Sequence, residues 1–258
     1  MHEGVQLAVT DFRGSGPAVL LLHGLAGYAG EWAETAHGLA DCARVVAFDA
    51  RGHGASERHP EDVSRAAHIA DARFVIDAMN LAPAVVVGQS LGGQTALLMA
   101  AAHPELVRGL VLVEASPDPG DGDAYVHVER WLRRWPVPFA TRAAAVDYFA
   151  SRGLRAEVWA DGLEERGDGW WPRFDIDLMV RTLREADSRA YWDEWETISC
   201  PILVVRGRNG TLPSTHAELM AHRAANARIV ELDAGHDVHL ERPDEWLMAL
   251  RAFLGCSA

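Results

Sequence analysis

Ser90 stands in Gly88-Gln89-Ser90-Leu91-Gly92, directly after the apolar run Ala84-Val85-Val86-Val87 and directly before Gly93 to Ala100. A serine hydroxyl so placed can attack a carbonyl carbon. Strand, glycine-bounded serine and helix follow one another with no spacer, the local order that a nucleophile elbow requires. A turn this sharp holds the serine at strained φ/ψ, and flanking glycines let neighbouring backbone approach without clashing Cβ atoms. The Oγ is then expected to stand clear of the chain, with the Leu91 amide directed to where an oxyanion would form. Five residues alone are a weak pattern. The flanking strand and helix carry the argument.

A serine hydroxyl is a poor nucleophile at neutral pH and needs a positioned base, usually histidine. Of the twelve histidines, His236 is the best placed, in the tight loop Asp233-Ala234-Gly235-His236-Asp237 after the last apolar strand. Active sites of parallel α/β sheets form at such C-terminal strand ends. His23 and His53 also follow strands, and spacing leaves them open as alternatives. His236 and His239 are three apart, but a third ligand at sensible spacing is missing, so no metal is expected. All 24 basic residues are arginine, which removes Schiff-base chemistry and a P-loop lysine.

The elements that must hold these groups alternate in the first half of the chain. Val5 to Val9 alternates weakly, and Pro17 to Leu22 is a continuous apolar run of the kind buried on both faces. Glu31 to Leu39 reads as helix and Arg44 to Phe48 as strand; Ser64 caps a helix running to about Met79. The strand before Ser90, the helix to His103 and the strand Leu110 to Val113 complete the series. Four buried strands separated by helices imply a parallel sheet with helices on both faces. The pattern changes at Pro117. From there to Ser199 the chain reads as helical and aromatic with no strand-like run, and holds seven of the nine tryptophans. Strand character returns at Pro201 to Val205 and Arg228 to Leu232, and a helix from Asp244 to Leu254 closes the chain. The expected organisation is one α/β core, 1–116 with 200–258, interrupted by a helical insertion, 117–199.

Composition narrows the partners. At 258 residues, 49% hydrophobic and 24% charged, the chain has the make-up of an ordinary globular protein. A net charge of −13 repels phosphate backbones and anionic headgroups, so neither nucleic acid nor membrane is an expected partner; a small-molecule substrate is. No window approaches a membrane span. Met1 to Gln6 has neither a basic nor an apolar leader region, so a cytoplasmic location is expected. Cys42, Cys200 and Cys256 are odd in number, widely spaced and without a CxxC pattern, and read as reduced thiols.

Four motifs in order give the chain a resemblance to the α/β-hydrolases along nearly its whole length. His23-Gly24 resembles the family's oxyanion loop and Asp49 to Ser56 (DARGHGAS) its loop after the following strand. Gly88 to Gly92 matches the elbow and Gly235-His236 the catalytic histidine. The resemblance implies an α/β-hydrolase fold, a mostly parallel sheet flanked by helices, with a helical cap inserted after the strand that follows the nucleophile. It implies Ser90 as nucleophile, His236 as general base, and the Leu25 and Leu91 amides as oxyanion donors, with no cofactor. His23, Asp49 and His53 would brace the site. Gly24 and the cap tryptophans Trp131, Trp135 and Trp159 are candidate substrate contacts, each tryptophan also fitting cap packing. The pocket is expected to be apolar and aromatic.

The departure concerns the acid. Most of the family carries Asp or Glu after the next-to-last strand, where this chain has Arg206-Gly207-Arg208-Asn209-Gly210-Thr211 and no carboxylate. Some members place the acid one strand after the nucleophile, where Glu114 ends Leu112-Val113-Glu114. Glu114 is the expected acid, with Asp118 or no acid as alternatives. The implied reaction is cleavage of an ester, lactone or thioester of a hydrophobic or ring-containing substrate through an acyl-enzyme. Carbon–carbon bond hydrolysis and cofactor-free perhydrolysis use a similar triad. A ligand receptor with a decayed triad is the reading that Asn209, an amide at the usual acid position, would support.

Overall fold

Short aliphatic runs form the middle of a sheet because both of their faces find a helix layer. The computed structural model describes residues 2, 4–118 and 123–256. Its first half comprises β1 (Val9–Arg13), β2 (Ala18–Leu22), a 3-10 turn (Ala29–Trp32) leading into α1 (Ala33–Leu39), and β3 (Arg44–Phe48). Then come α2 (Arg65–Ala78), β4 (Ala84–Gln89), α3 (Leu91–Ala102) and β5 (Val107–Val113). Ser64 caps α2 as expected, its hydroxyl accepting from Ala67 N at 3.2 Å. The insertion follows as α4 (Ala124–Leu132), α5 (Arg142–Ala150), α6 (Ala156–Asp161), β6 (Leu163–Arg166), β7 (Gly169–Pro172), α7 (Ile176–Ala186) and α8 (Trp192–Thr197). The chain ends with β8 (Ile202–Gly207), α9 (Ser214–Arg223), β9 (Ala227–Leu232), α10 (Val238–Glu241) and α11 (Pro243–Leu254).

Seven strands form one sheet in the order β1-β3-β2-β4-β5-β8-β9, parallel except for β1. Side chains alternate across it with period two. Leu20, Leu22, Val46 and Val86 join the core on the side of α2 and α3. Val19, Leu21, Val45 and Val87 join Trp32, Leu39, Trp246 and Leu250 on the side of α1 and α11. The central strand β4 is buried at all six positions, so Ser90 leaves a strand that has no freedom to shift.

Three expectations need correction. The first strand lies at Val9–Arg13, not Val5 to Val9; Val5 only bridges His2, and the edge position of β1 tolerates its exposed, polar residues. The insertion is not wholly helical. β6 and β7 form an antiparallel hairpin across Gly167-Asp168, pairing Glu164 with Trp171 and Glu165 with Trp170. Strands of four residues, Leu-Glu-Glu-Arg and Gly-Trp-Trp-Pro, show no apolar alternation, which hid them. Finally, Cys42 and Cys256 are not reduced thiols but a disulfide, with Cα atoms 5.8 Å apart at a sequence separation of 214. Packing of α11 against α1 brings the two together, a proximity that spacing along the chain cannot reveal. Cys200 remains free. Among the described residues no helix is long and apolar enough to cross a membrane.

Candidate active site

The turn from β4 into α3 holds Ser90 at φ 52°, ψ −118°, the strained conformation that the elbow demands. Two glycines make it possible. A Cβ on Gly88 would strike the Gly92 carbonyl, and one on Gly92 would strike the carbonyls of Leu22 and His23. Ser90 N is anchored to Val113 O at 2.9 Å, tying the elbow to the end of β5. Leu91 opens α3, so its amide is one of the first-turn N–H groups with no carbonyl a turn behind it. After β2, Gly24 lies over the elbow, where its Cβ would sit 3.3 Å from Ser90 Cβ. The amide of the next residue, Leu25, donates to no described residue. His23 fixes this loop: its Nε2 accepts from Ala50 N at 2.9 Å, so Nδ1 carries the proton and donates to Gly24 O at 2.7 Å.

At the end of β5, Glu114 is held at φ 51°, a second strained non-glycine residue one strand from the first. Its carboxylate is fully buried. Three backbone amides of the β8–α9 loop surround it: Gly207 N at 2.7 Å, Thr211 N at 2.5 Å and Leu212 N at 3.1 Å. A Cβ on Gly210 would collide with that carboxylate. His236 Nδ1 lies 3.3 Å from Glu114 Oε2. Thr211 Oγ1 sits between them, 2.8 Å from Nδ1 and 3.2 Å from Oε2. The hydroxyl can therefore accept from Nδ1–H and donate to the carboxylate, which leaves Nε2 as the lone-pair nitrogen. The Gln89 side chain, next to Ser90, donates to the His236 carbonyl at 3.2 Å.

Desolvation disfavours the imidazolium, but the Glu114 hydrogen bond and the charges of Asp237, Glu114 and Glu241 outweigh it, so the His236 pKa stands above its ordinary value. Burial likewise works to raise the Glu114 pKa. The His236 and Gly207 hydrogen bonds and the imidazolium charge win, and the carboxyl stays below its usual range.

The two alternative candidates, His23 and His53, are committed elsewhere. His53 is fully buried against Arg51 O, and desolvation drives its pKa down to about 3. Asp49 accepts from Ala29 N and Ala55 N at 2.7 Å each, bracing the loop after β3. Arg51 in that loop forms a bidentate pair with Asp71 of α2, at 2.6 and 2.8 Å.

Ser90 opens onto a cavity of about 530 Å³ whose described lining includes Leu91, Gln94, Glu114, Asp118, Leu183, Asp187, Thr211, Leu212, Pro213 and His216. No tryptophan is among its described lining residues, while Trp135 and Trp159 line a smaller cavity with Ala26, Gly27 and Tyr28 of the loop after β2. Trp131, Trp135 and Trp159 meet edge to face at 5.2–5.9 Å in the core of the insertion, with Phe139, Phe149 and Phe174. Large rings satisfy one another first, since edge-on pairs gain energy beyond burial. Trp159 Nε1 also donates to Asp237 Oδ2 at 3.3 Å, joining α6 to the residue after His236. Asp118 stands in the cavity wall and accepts from Trp192 Nε1 at 3.2 Å; the carboxylate at His236 is Glu114. Asn209 is exposed, on the outer side of the loop. Sequence reasoning missed Thr211, because that loop was searched for carboxylates while a hydroxyl there was the available signal.

Comparison with known proteins places this geometry among relatives. A family model for the alpha/beta hydrolase fold matches residues 17–243. The chain is similar to the sn-1-specific diacylglycerol lipase ABHD11 of Mus musculus, 30% identical over 92% of this chain and 81% of the relative. It is equally similar, 30% identical over 93% of this chain and 84% of the relative, to an esterase of Mycobacterium tuberculosis. Among solved structures, E-2-(acetamidomethylene)succinate hydrolase superposes with a TM-score of 0.90 at 23% identity, covering 98% of this chain and 97% of that one. At that identity the likeness speaks for the fold alone.

Proposed function

The chain belongs to the α/β-hydrolase fold family and is a hydrolase of the esterase type, and from that premise we propose that it cleaves carboxylic esters through an acyl-enzyme on Ser90. Ser90 Oγ attacks the carbonyl carbon while His236 Nε2 takes its proton. The oxyanion is met by the Leu25 and Leu91 amides, preorganised donors that cost no rearrangement at the moment of reaction. His236 then protonates the leaving alcohol, and a water that it deprotonates releases the acid. Glu114, acting directly and through the Thr211 hydroxyl, holds the Nδ1–H tautomer and balances the imidazolium. The acyl or alcohol chain lies along Leu91, Leu183, Leu212 and Pro213 of the cavity wall.

One observation carries this reading: a buried carboxylate, fixed by three amides, faces His236 Nδ1, and the side chain of Gln89, next to the elbow serine, donates to the His236 carbonyl. A decayed receptor has no need to keep that carboxylate ionised and aimed. The test is labelling with a fluorophosphonate together with turnover of p-nitrophenyl esters. Both should occur in the wild type and vanish in Ser90→Ala with the fold unchanged by circular dichroism. Esterase activity that survives Ser90→Ala would overturn the proposal.

A further inference from the structure

We infer that Asp187, set beside Gln94 in the wall of the Ser90 cavity, forms an acceptor subsite that selects esters carrying an ammonium group on the acyl chain. The inference rests on the reading of that cavity as the place of ester hydrolysis. Gln94 lies one helical turn beyond Ser90 on α3 and is 8% exposed. Its Nε2 donates to Ala186 O at 2.8 Å, which fixes the amide's orientation and leaves Oε1 buried without a partner. Asp187, the next residue, has a buried Oδ2 that also lacks a partner. Both residues line the cavity. Buried acceptors are normally paired, and each one left bare is costly.

The chemistry of a donor that would complete them follows from the surroundings. Asp187 ends α7, where unpaired carbonyls already make the potential negative. Burial pushes its pKa up to about 6, so the carboxylate is still ionised at neutral pH. The other two carboxylates in the wall are engaged, Glu114 with His236 and Asp118 with Trp192. No arginine is among the described lining residues, and the chain has no lysine. Among the described lining residues His216 is the only basic side chain. A ligand group must therefore donate, and a positive charge answers Asp187. An ammonium does both, with three N–H bonds to give. The terminal torsion of aspartate is broad and two-fold, so either oxygen can turn to meet it. Leu183, Leu212 and Pro213 suit the methylene chain between ammonium and ester.

The test compares kcat/KM for p-nitrophenyl hexanoate and its ω-ammonio, ω-hydroxy and ω-carboxy derivatives, with wild-type, Ser90→Ala and Asp187→Asn proteins. The ω-ammonio ester should exceed the parent by about tenfold or more in the wild type, as a charge-assisted hydrogen bond implies. The ω-carboxy ester should be the poorest. In Asp187→Asn the ammonio-to-parent ratio should fall toward unity. A wild-type ratio at or below unity, or a ratio untouched by Asp187→Asn, overturns the inference, while Ser90-dependent hydrolysis of the parent ester leaves the proposed reaction standing. Loss of Ser90-dependent hydrolysis of all four esters, with no fluorophosphonate labelling, instead overturns the proposed reaction and the subsite with it. A measurement on the wild type alone covers an Asp187→Asn protein that does not fold: hexylammonium should inhibit ester turnover more strongly than hexanoate, and the reverse order overturns the inference.

Discussion

At the residue scale, the proposed triad departs from the common arrangement in where its acid sits and in the hydroxyl placed between acid and base. Glu114→Gln removes the charge that stabilises the imidazolium while leaving the shape; turnover of p-nitrophenyl esters should fall by up to about 10⁴, as for loss of the carboxylate in a serine protease triad. The pH profile gives a second readout. The base must be neutral, so kcat/KM rises with pH through the His236 pKa, which lies above its ordinary value. Glu114→Gln takes away the main interactions that raise it, and the acid limb should move to lower pH. An unmoved limb would detach Glu114 from His236. Thr211→Val deletes the bridging hydroxyl, and one lost hydrogen bond predicts a drop in kcat of about tenfold. Thr211→Ser should restore most of it, which a purely steric role would not require. Asn209→Ala alters an exposed side chain and should change kcat/KM by less than about twofold.

Loops at the C-terminal ends of the strands do at the element scale what single residues cannot. The β8–α9 loop supplies amides where relatives of this fold commonly supply the acid. Gly207, Thr211 and Leu212 point their N–H groups inward at a carboxylate delivered from β5. Acid and donors have in effect changed strands, and the imidazole is served from the same side. The loop after β3 is held differently. Arg51 and Asp71, 2% and 1% exposed, pin it to α2 by a buried bidentate ion pair. Asp71→Ala would leave a guanidinium buried without its counter-charge, at a cost of about 3–5 kcal/mol. Urea unfolding should show that loss, and Arg51→Met in the same protein should recover part of it. A loss below about 1 kcal/mol in Asp71→Ala would mean that Arg51 finds water or another partner.

The whole molecule is closed by the Cys42–Cys256 link, which ties the C-terminal helix back to the segment after α1 across nearly the full length of the chain. A cross-link over so long a loop restricts the unfolded ensemble strongly, and its removal should cost about 2–4 kcal/mol. Comparing the midpoint of thermal unfolding for the wild type and Cys42→Ala, Cys256→Ala measures it. Thiol titration of the unfolded, unreduced protein should find one thiol, Cys200; three would show that the pair does not form.

What the sequence by itself determined is local. Ser90 could be read because its signal is a strand, a turn and a helix that adjoin in the chain, and the buried strands because aliphatic runs have few other uses. Glu114 was named through the resemblance to family members that carry the acid one strand after the nucleophile, together with the cost of a charge closing a buried strand. Contacts between distant segments were left to the tertiary structure. The choice of His236 over His23 and His53 depends on which ring meets a carboxylate 122 residues away. Thr211 lies at Glu114 because the loop folds over that carboxylate, and Trp131, Trp135 and Trp159 meet one another because separate segments of the insertion pack together. Cys42 and Cys256 paired because α11 returns to α1. In each case the deciding quantity is a distance through space, set by the packing of helices on a common sheet, and periodicity along a chain carries no information about it.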